Sequence, residues 1–162
     1  MKIRKYRESD AEEKHDLHMK TIREVASPDY SDTQIDAWTT FDPDNATDED
    51  KTERWIAVED DKIVGFGDYV PEEEEITGIY VHPDYLRQGI ASRLLEKVEE
   101  DAEERGIKKL SLVSTVTARG FYEEHGYRVL EEMMYETGGE ELKTLRMEKE
   151  FKILEAGIVG KD

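Results

Sequence analysis

The sequence predicts a single α/β domain of the α+β kind, with about six to seven strands and about four helices. Three observations predict it. A long amphipathic helical run begins after Gly89. Two hairpin signals lie in "WIAVEDDKIVGFGDYV" and "YRVLEEMMYETGGEELKTLRMEKEF". Two capping-box spacings open helices in the N-terminal third. The 162 residues carry no long Pro, Gly or Ser tract, so one core is expected over 1–151, with a loosely held tail at 152–162.

In chain order, residues 2–6 read as a short first strand. "SDAEEKHDLHMKTIREV" reads as a helix capped by Ser9, with Glu12 completing the capping box. Leu17, Thr21 and Val25 then share a face, with Ile22 beside them. "YSDTQIDAW" repeats the device: Ser31 and Gln34 have capping-box spacing, and a second helix ends near Trp38. "DPDNATDEDK" is a loop rich in residues that bond their own backbone. Two β-type runs then join around Asp60-Asp61, and "EEITGIYVHP" follows an acidic turn as a further strand. Its apolar residues Ile76, Ile79 and Val81 are spaced by three and then two, which no regular strand keeps on one face. A β-bulge near Gly78 to Tyr80 reconciles them and frees backbone N–H groups. Ile90, Ala91, Leu94, Leu95, Val98 and Ala102 recur at helical spacing up to Arg105-Gly106. "KKLSLVS" is a strand, "TARGFYEEH" a short helix stopped by Gly126, and the last two strands turn at Gly138-Gly139.

Composition narrows the function. Forty-one acidic side chains against 23 Lys and Arg give a net charge of −18, which repels nucleic acid and anionic membranes. The acidity serves either a solubilising shell or the attraction of a cationic substrate. With no cysteine there is no disulfide, thiolate metal site or Cys nucleophile, and the four scattered histidines form no ligand pair, so no metal is implied. No apolar run suits a signal peptide or membrane span, so the expected location is cytoplasmic, as a monomer or homodimer.

The chemistry concentrates around Gly89 in "HPDYLRQGIASRLL". A helix N-terminus offers unpaired N–H groups and partial positive charge, and a glycine lets a phosphate come close. Residues 85–95 and 105–122 hold Arg87, Arg93, Arg105, Lys108, Lys109 and Arg119 and no acid at all. In so acidic a chain, these windows look like local provision for an anion, although an ordinary strand-to-helix turn stays open. Neither a P-loop nor a dinucleotide-binding glycine motif is present.

"IYVHPDYLRQGIASRLLEKV" followed by "ARGFYEEHGYRV" resembles the Gcn5-related N-acetyltransferase (GNAT) superfamily, whose acyl-CoA loop reads Gln/Arg-x-x-Gly-x-Gly/Ala. "DYSDTQIDAW" and "STVTARGFYEEHGY" are similar to small prokaryotic acetyltransferases of that group. Leu86 departs from the pattern where the family has Gln or Arg. The resemblance implies a single-domain fold with a mixed, mostly antiparallel sheet, splayed by a β-bulge and flanked by helices. It also implies transfer of the acetyl group of acetyl-CoA to a primary amine by direct attack. Main-chain groups of Arg87, Gln88, Gly89, Ile90, Ala91 and Ser92 would then grip the pyrophosphate, and those of Ile79 and Val81 would pair with the pantetheine arm. Thr115 would lie near the cofactor. Tyr122 would contact it and protonate the departing thiolate, and Tyr30 and Trp38 would wall the acceptor pocket. The amine must shed a proton before attack; Glu75 is one candidate base, beside Tyr80 or a water chain. A non-catalytic acyl-CoA-binding or sensing module remains the alternative, and the acceptor stays open between a small amine and a protein N-terminus or lysine.

Overall fold

A computed structural model describes residues 1–41 and 51–151. Most of the expected acidic loop, 42–50, and the expected tail, 152–162, lie outside the described residues. Seven strands form one sheet: β1 (Lys2–Lys5), β2 (Glu53–Glu59), β3 (Lys62–Val70), β4 (Glu75–Val81), β5 (Lys109–Thr115), β6 (Arg128–Thr137) and β7 (Glu140–Glu150). Among the described residues four α-helices accompany them: α1 (Ala11–Val25), α2 (Asp32–Phe41), α3 (Ile90–Glu104) and α4 (Arg119–Glu124). The strand order is β1-β2-β3-β4-β5-β7-β6, antiparallel except where β4 lies beside β5.

Local chemistry sets most of the boundaries. Asp60 and Asp61 both take positive φ, as a tight hairpin between β2 and β3 requires. Ser31 and Gln34 form the predicted reciprocal cap: the Ser31 amide donates to Gln34 Oε1 at 2.8 Å and the Gln34 amide to Ser31 Oγ at 3.2 Å. The first cap differs from expectation. Ser9 falls within a 3-10 turn, Glu8–Asp10, and Asp10 takes over: its carboxylate accepts the Arg7 amide at 2.8 Å and both arms of Arg4, each at 2.8 Å. A forked charge-assisted pair outcompetes a hydroxyl there, and Arg4 holds the Asp10 carboxyl below its ordinary range.

The main core lies between α3 and the sheet. Ile90, Leu94, Leu95, Val98 and Ala102 are buried, as their spacing predicts, against Trp55, Val64, Tyr69, Ile76 and Leu112. Gly65 and Gly67 on β3 let α3 come this close: a Cβ on Gly65 would meet the Tyr80 carbonyl at 3.0 Å and Leu94 Cδ1 at 3.1 Å. Leu94→Ala, emptying a fully buried position, is expected to cost about 2–5 kcal/mol, read as a lower urea midpoint at unchanged m-value. A loss below about 1 kcal/mol would contradict this seating of α3.

The sheet parts in its middle. β4 and β5 pair only at Glu75↔Ser111 and Ile76↔Leu112, and beyond them no ladder joins the two strands. Between β3 and β4 the register passes from Tyr69↔Ile76 to Asp68↔Gly78, so Thr77 is the extra residue of a β-bulge. The bulge exists as predicted but sits just before Gly78 to Tyr80, and Tyr80 itself pairs regularly with Phe66. The apolar spacing of three lies between Ile76 and Ile79, so the irregularity had to fall inside that interval.

Candidate functional site

A cavity of about 550 Å³ opens where β4 leaves β5. Its walls come from α1 and α2 (Thr21, Ile22, Trp38), from Ile79, Tyr80 and Val81 on β4, from the loop into α3, and from Thr115, Ala118, Phe121 and Tyr122. Of the sequence-predicted cofactor residues, Ile79, Val81, Arg87, Gly89, Ile90, Ala91, Ser92, Thr115 and Tyr122 all line it; Gln88 does not.

Backbone geometry explains how the loop reaches the cavity. His82 Nδ1 accepts the Asp84 amide at 3.1 Å and so sets the 3-10 turn Pro83–Tyr85; burial lowers the His82 pKa, which suits a neutral acceptor ring. Arg87 and Gly89 then both take left-handed φ, +62° and +79°, and the chain enters α3 at Ile90. No acid occupies the first turn of α3, and a Cβ on Gly89 would meet nothing within 4 Å. The leading amides of α3 have no carbonyl one turn back, so they are available to an anion.

The phase of β4 decides which of its main-chain groups face the cleft. The His82 amide bonds the Val64 carbonyl at 2.8 Å, so His82, Tyr80 and Gly78 turn their polar groups toward β3. Ile79 and Val81 therefore turn theirs the other way, into the parting. The Val81 carbonyl accepts Thr21 Oγ1 at 3.0 Å, a contact from α1 that the strand pattern alone does not reveal.

Tyr122 is buried between Phe121 and Tyr127, with ring centroids at 5.2 and 5.7 Å. Burial, and secondarily Tyr80, raises its pKa well above the ordinary phenol value, so it keeps its proton at neutral pH. Just beyond it, His125 carries a positioning contact not singled out in the sequence. Its Nδ1 lies 2.8 Å from the Phe121 carbonyl, to which it donates because a carbonyl can only accept, and its Nε2 lies 3.0 Å from the Ser92 hydroxyl. This bond ties α4 to the first turn of α3.

A second cavity, about 380 Å³, is lined by His18, Tyr30, Trp38, Phe66, Tyr80, Thr115, Leu142 and neighbours on β4 to β7, and it includes Glu75. Trp38, Tyr80 and Thr115 line both cavities, so the two adjoin at these residues. Glu75 is half-buried; burial first and Glu73 second raise its pKa, while Arg146 opposes them. Tyr30 contributes its ring to the wall, but its hydroxyl is already engaged, donating to the Lys143 carbonyl at 2.6 Å and accepting the Val116 amide at 3.0 Å. Trp38 stacks edge-on against it at 5.9 Å. The floor holds Arg54 and Asp68, which the sequence reading missed. The available signal was an acid inside the otherwise uncharged run "IVGFGDYV".

Comparison with known proteins gives a consistent picture. The family described as acetyltransferase (GNAT) domain matches residues 26–151. The uncharacterized N-acetyltransferase YafP of Escherichia coli K12 is 28% identical over 140 residues, covering 86% of this chain and 89% of YafP. Among solved structures, the Gcn5-related N-acetyltransferase of Rhodopseudomonas palustris superposes with a TM-score of 0.83 at 27% identity, over 93% of this chain and 95% of that one. The PaiA N-acetyltransferase of Thermoplasma acidophilum, determined in complex with coenzyme A, has the same fold, with a TM-score of 0.72 at 21% identity over 93% and 98% of the two chains. The match to the family over most of the chain, and the split sheet that accompanies it, show that this protein belongs to the GNAT acetyltransferase family.

Proposed function

We propose that the protein is an N-acetyltransferase that carries the acetyl group of acetyl-CoA to a primary amine by direct attack within a ternary complex. The observation that carries this reading is the pair of cavities adjoining at Trp38, Tyr80 and Thr115. A binding module needs the first cavity; transfer to an acceptor needs the second beside it.

Acetyl-CoA supplies the activated acyl group and a thiolate leaving group. The amides leading α3, with Arg87 beside them, would hold its pyrophosphate, and the outward groups of Ile79 and the Val81 amide would receive the pantetheine arm as an added strand. The Val81 N–H also suits the negative charge that develops on the carbonyl oxygen. Glu75, directly or through water, would take a proton from the acceptor ammonium; its raised pKa brings it closer to the range of a working base. Tyr122 would donate its proton to the departing sulfur, the role for which a phenol kept protonated by burial is suited. The new C–N bond forms as the C–S bond breaks; the ammonium gives up two protons, one to Glu75 before attack and one from nitrogen in the tetrahedral intermediate, and since the departing thiolate gains one through Tyr122, one proton is released to solvent.

The test is free-thiol release from acetyl-CoA across a panel of primary amines, with the acetylated product identified by mass. Saturable thiol release with matching product is the expected result. Saturable acetyl-CoA binding with no release from any amine would overturn the catalytic reading in favour of a binding module.

A further inference from the structure

Lys14, Arg54 and Asp68 form a buried triad beneath the second cavity. Lys14 Nζ and Arg54 Nη1 both donate to the same oxygen, Asp68 Oδ2, at 3.0 and 3.2 Å. All three residues are at most 7% exposed, and Arg54 and Asp68 line the cavity. Two polar atoms are left over: among the described residues, neither Arg54 Nη2 nor Asp68 Oδ1 has a hydrogen-bond partner. Two cations against one carboxylate leave a surplus positive charge.

Aromatic faces lie against both cations. Lys14 Nζ sits 3.9 Å from the Phe66 ring centroid and the Arg54 guanidinium 5.6 Å from that of Tyr6. An unbalanced buried cation and an orphaned N–H are both costly, and a ligand carboxylate would relieve both at once. Such a charge-assisted pairing is also among the stronger polar contacts open to a small ligand. Asp68 Oδ1 adds a second requirement, a donor beside that carboxylate, which the ligand's own hydroxyl or N–H, or a bridging water, can meet. Elsewhere the walls are largely apolar, with Trp38, Val113, Met133 and Leu142 among them.

Resting on the acetyltransferase reading above, we propose that the acceptor is an amine on an apolar body that also carries a carboxylate. The carboxylate is bound by Arg54 at the Arg54–Asp68 floor, and the amine is presented at the Trp38–Tyr80–Thr115 junction. The net charge of −18 would by itself favour cationic acceptors, so the triad marks a local exception built into the pocket.

The experiment compares matched acceptors that differ in one group: amino carboxylates of graded length with aromatic or aliphatic bodies, including phenylalanine and 4-(aminomethyl)benzoate, each beside its primary amide. At saturating acetyl-CoA, the carboxylate is expected to exceed its amide by about tenfold or more in kcat/KM, mainly through KM. Arg54→Gln should erase the preference, and saturable acetyl-CoA binding by the variant shows that it is folded. Should it not fold, the wild-type comparison decides alone. Equal or inverted preference across the panel overturns the proposal while leaving the acetyltransferase reading intact. If no amine is turned over, the same pairs are titrated calorimetrically into protein saturated with CoA. Carboxylate-selective binding then supports the pocket while overturning the enzyme, and absence of selectivity overturns the pocket.

Discussion

Replacing Tyr122 with phenylalanine is expected to lower kcat by about 10²-fold or more, the lower end for loss of a positioned general acid. The substitution keeps the ring that packs edge-on against Phe121 and Tyr127, so melting temperature and acetyl-CoA affinity should stay close to wild type. It removes only the hydroxyl, in a residue that lines the cofactor cavity and that burial keeps protonated. Because the phenol titrates far above neutrality, kcat of the wild type should show no fall between pH 7 and 9 from loss of this acid. The three quantities are measured on the same two preparations. Unchanged turnover would reject Tyr122 as the acid, and a large drop in melting temperature would make it a core residue first.

The second large effect is expected at Gly89. Gly89→Glu should weaken acetyl-CoA binding by about 100-fold or more, read by calorimetry, because it places a carboxylate where the leading amides of α3 would receive a pyrophosphate. The fold should tolerate it, since a Cβ there meets nothing within 4 Å. The φ of +79° adds a backbone strain of about 1–2 kcal/mol for any L-residue. Gly89→Ala carries that strain without the charge and should lose far less affinity. Equal affinity of Gly89→Glu and wild type would remove the loop from the cofactor site.

Where structure follows from neighbours in sequence, the sequence was readable. The Ser31–Gln34 cap, the Asp60-Asp61 hairpin and the buried stripe of α3 all depend on residues within a few positions of one another. The wall of the first cavity was readable for the same reason, since Gly89 to Ser92 form one helix start. Features set by distant partners were not. Asp10 displaced Ser9 as the organiser of the first helix because Arg4 reaches it from β1. The hairpin of β6 and β7 announces itself at Gly138-Gly139, yet nothing local says that β7 takes the inner place; burial of Leu142, Leu145 and Met147 decides it, while Leu130, Met134 and Tyr135 of β6 stay exposed. The buried charged triad is the extreme case. Lys14, Arg54 and Asp68 come from α1, β2 and β3 and share no motif, so only the sheet brings them together.

The parting of β4 from β5 bears on how the molecule is held together in time as well as in space. Only two residue pairs stitch the sheet across that line, so the backbone ladder is nearly two ladders, one ending at β4 and the other starting at β5. A ligand that lies along the outward groups of Ile79 and Val81 fills the missing course, and its binding energy then adds to folding as RT ln(1 + [L]/Kd). Amide hydrogens along this seam should exchange quickly in the empty protein and slow sharply once the cleft is filled, with little change in the strands outside it. On the proposed reaction the cofactor would thus be consumed and, while it remains bound, would serve as a temporary strand of the sheet.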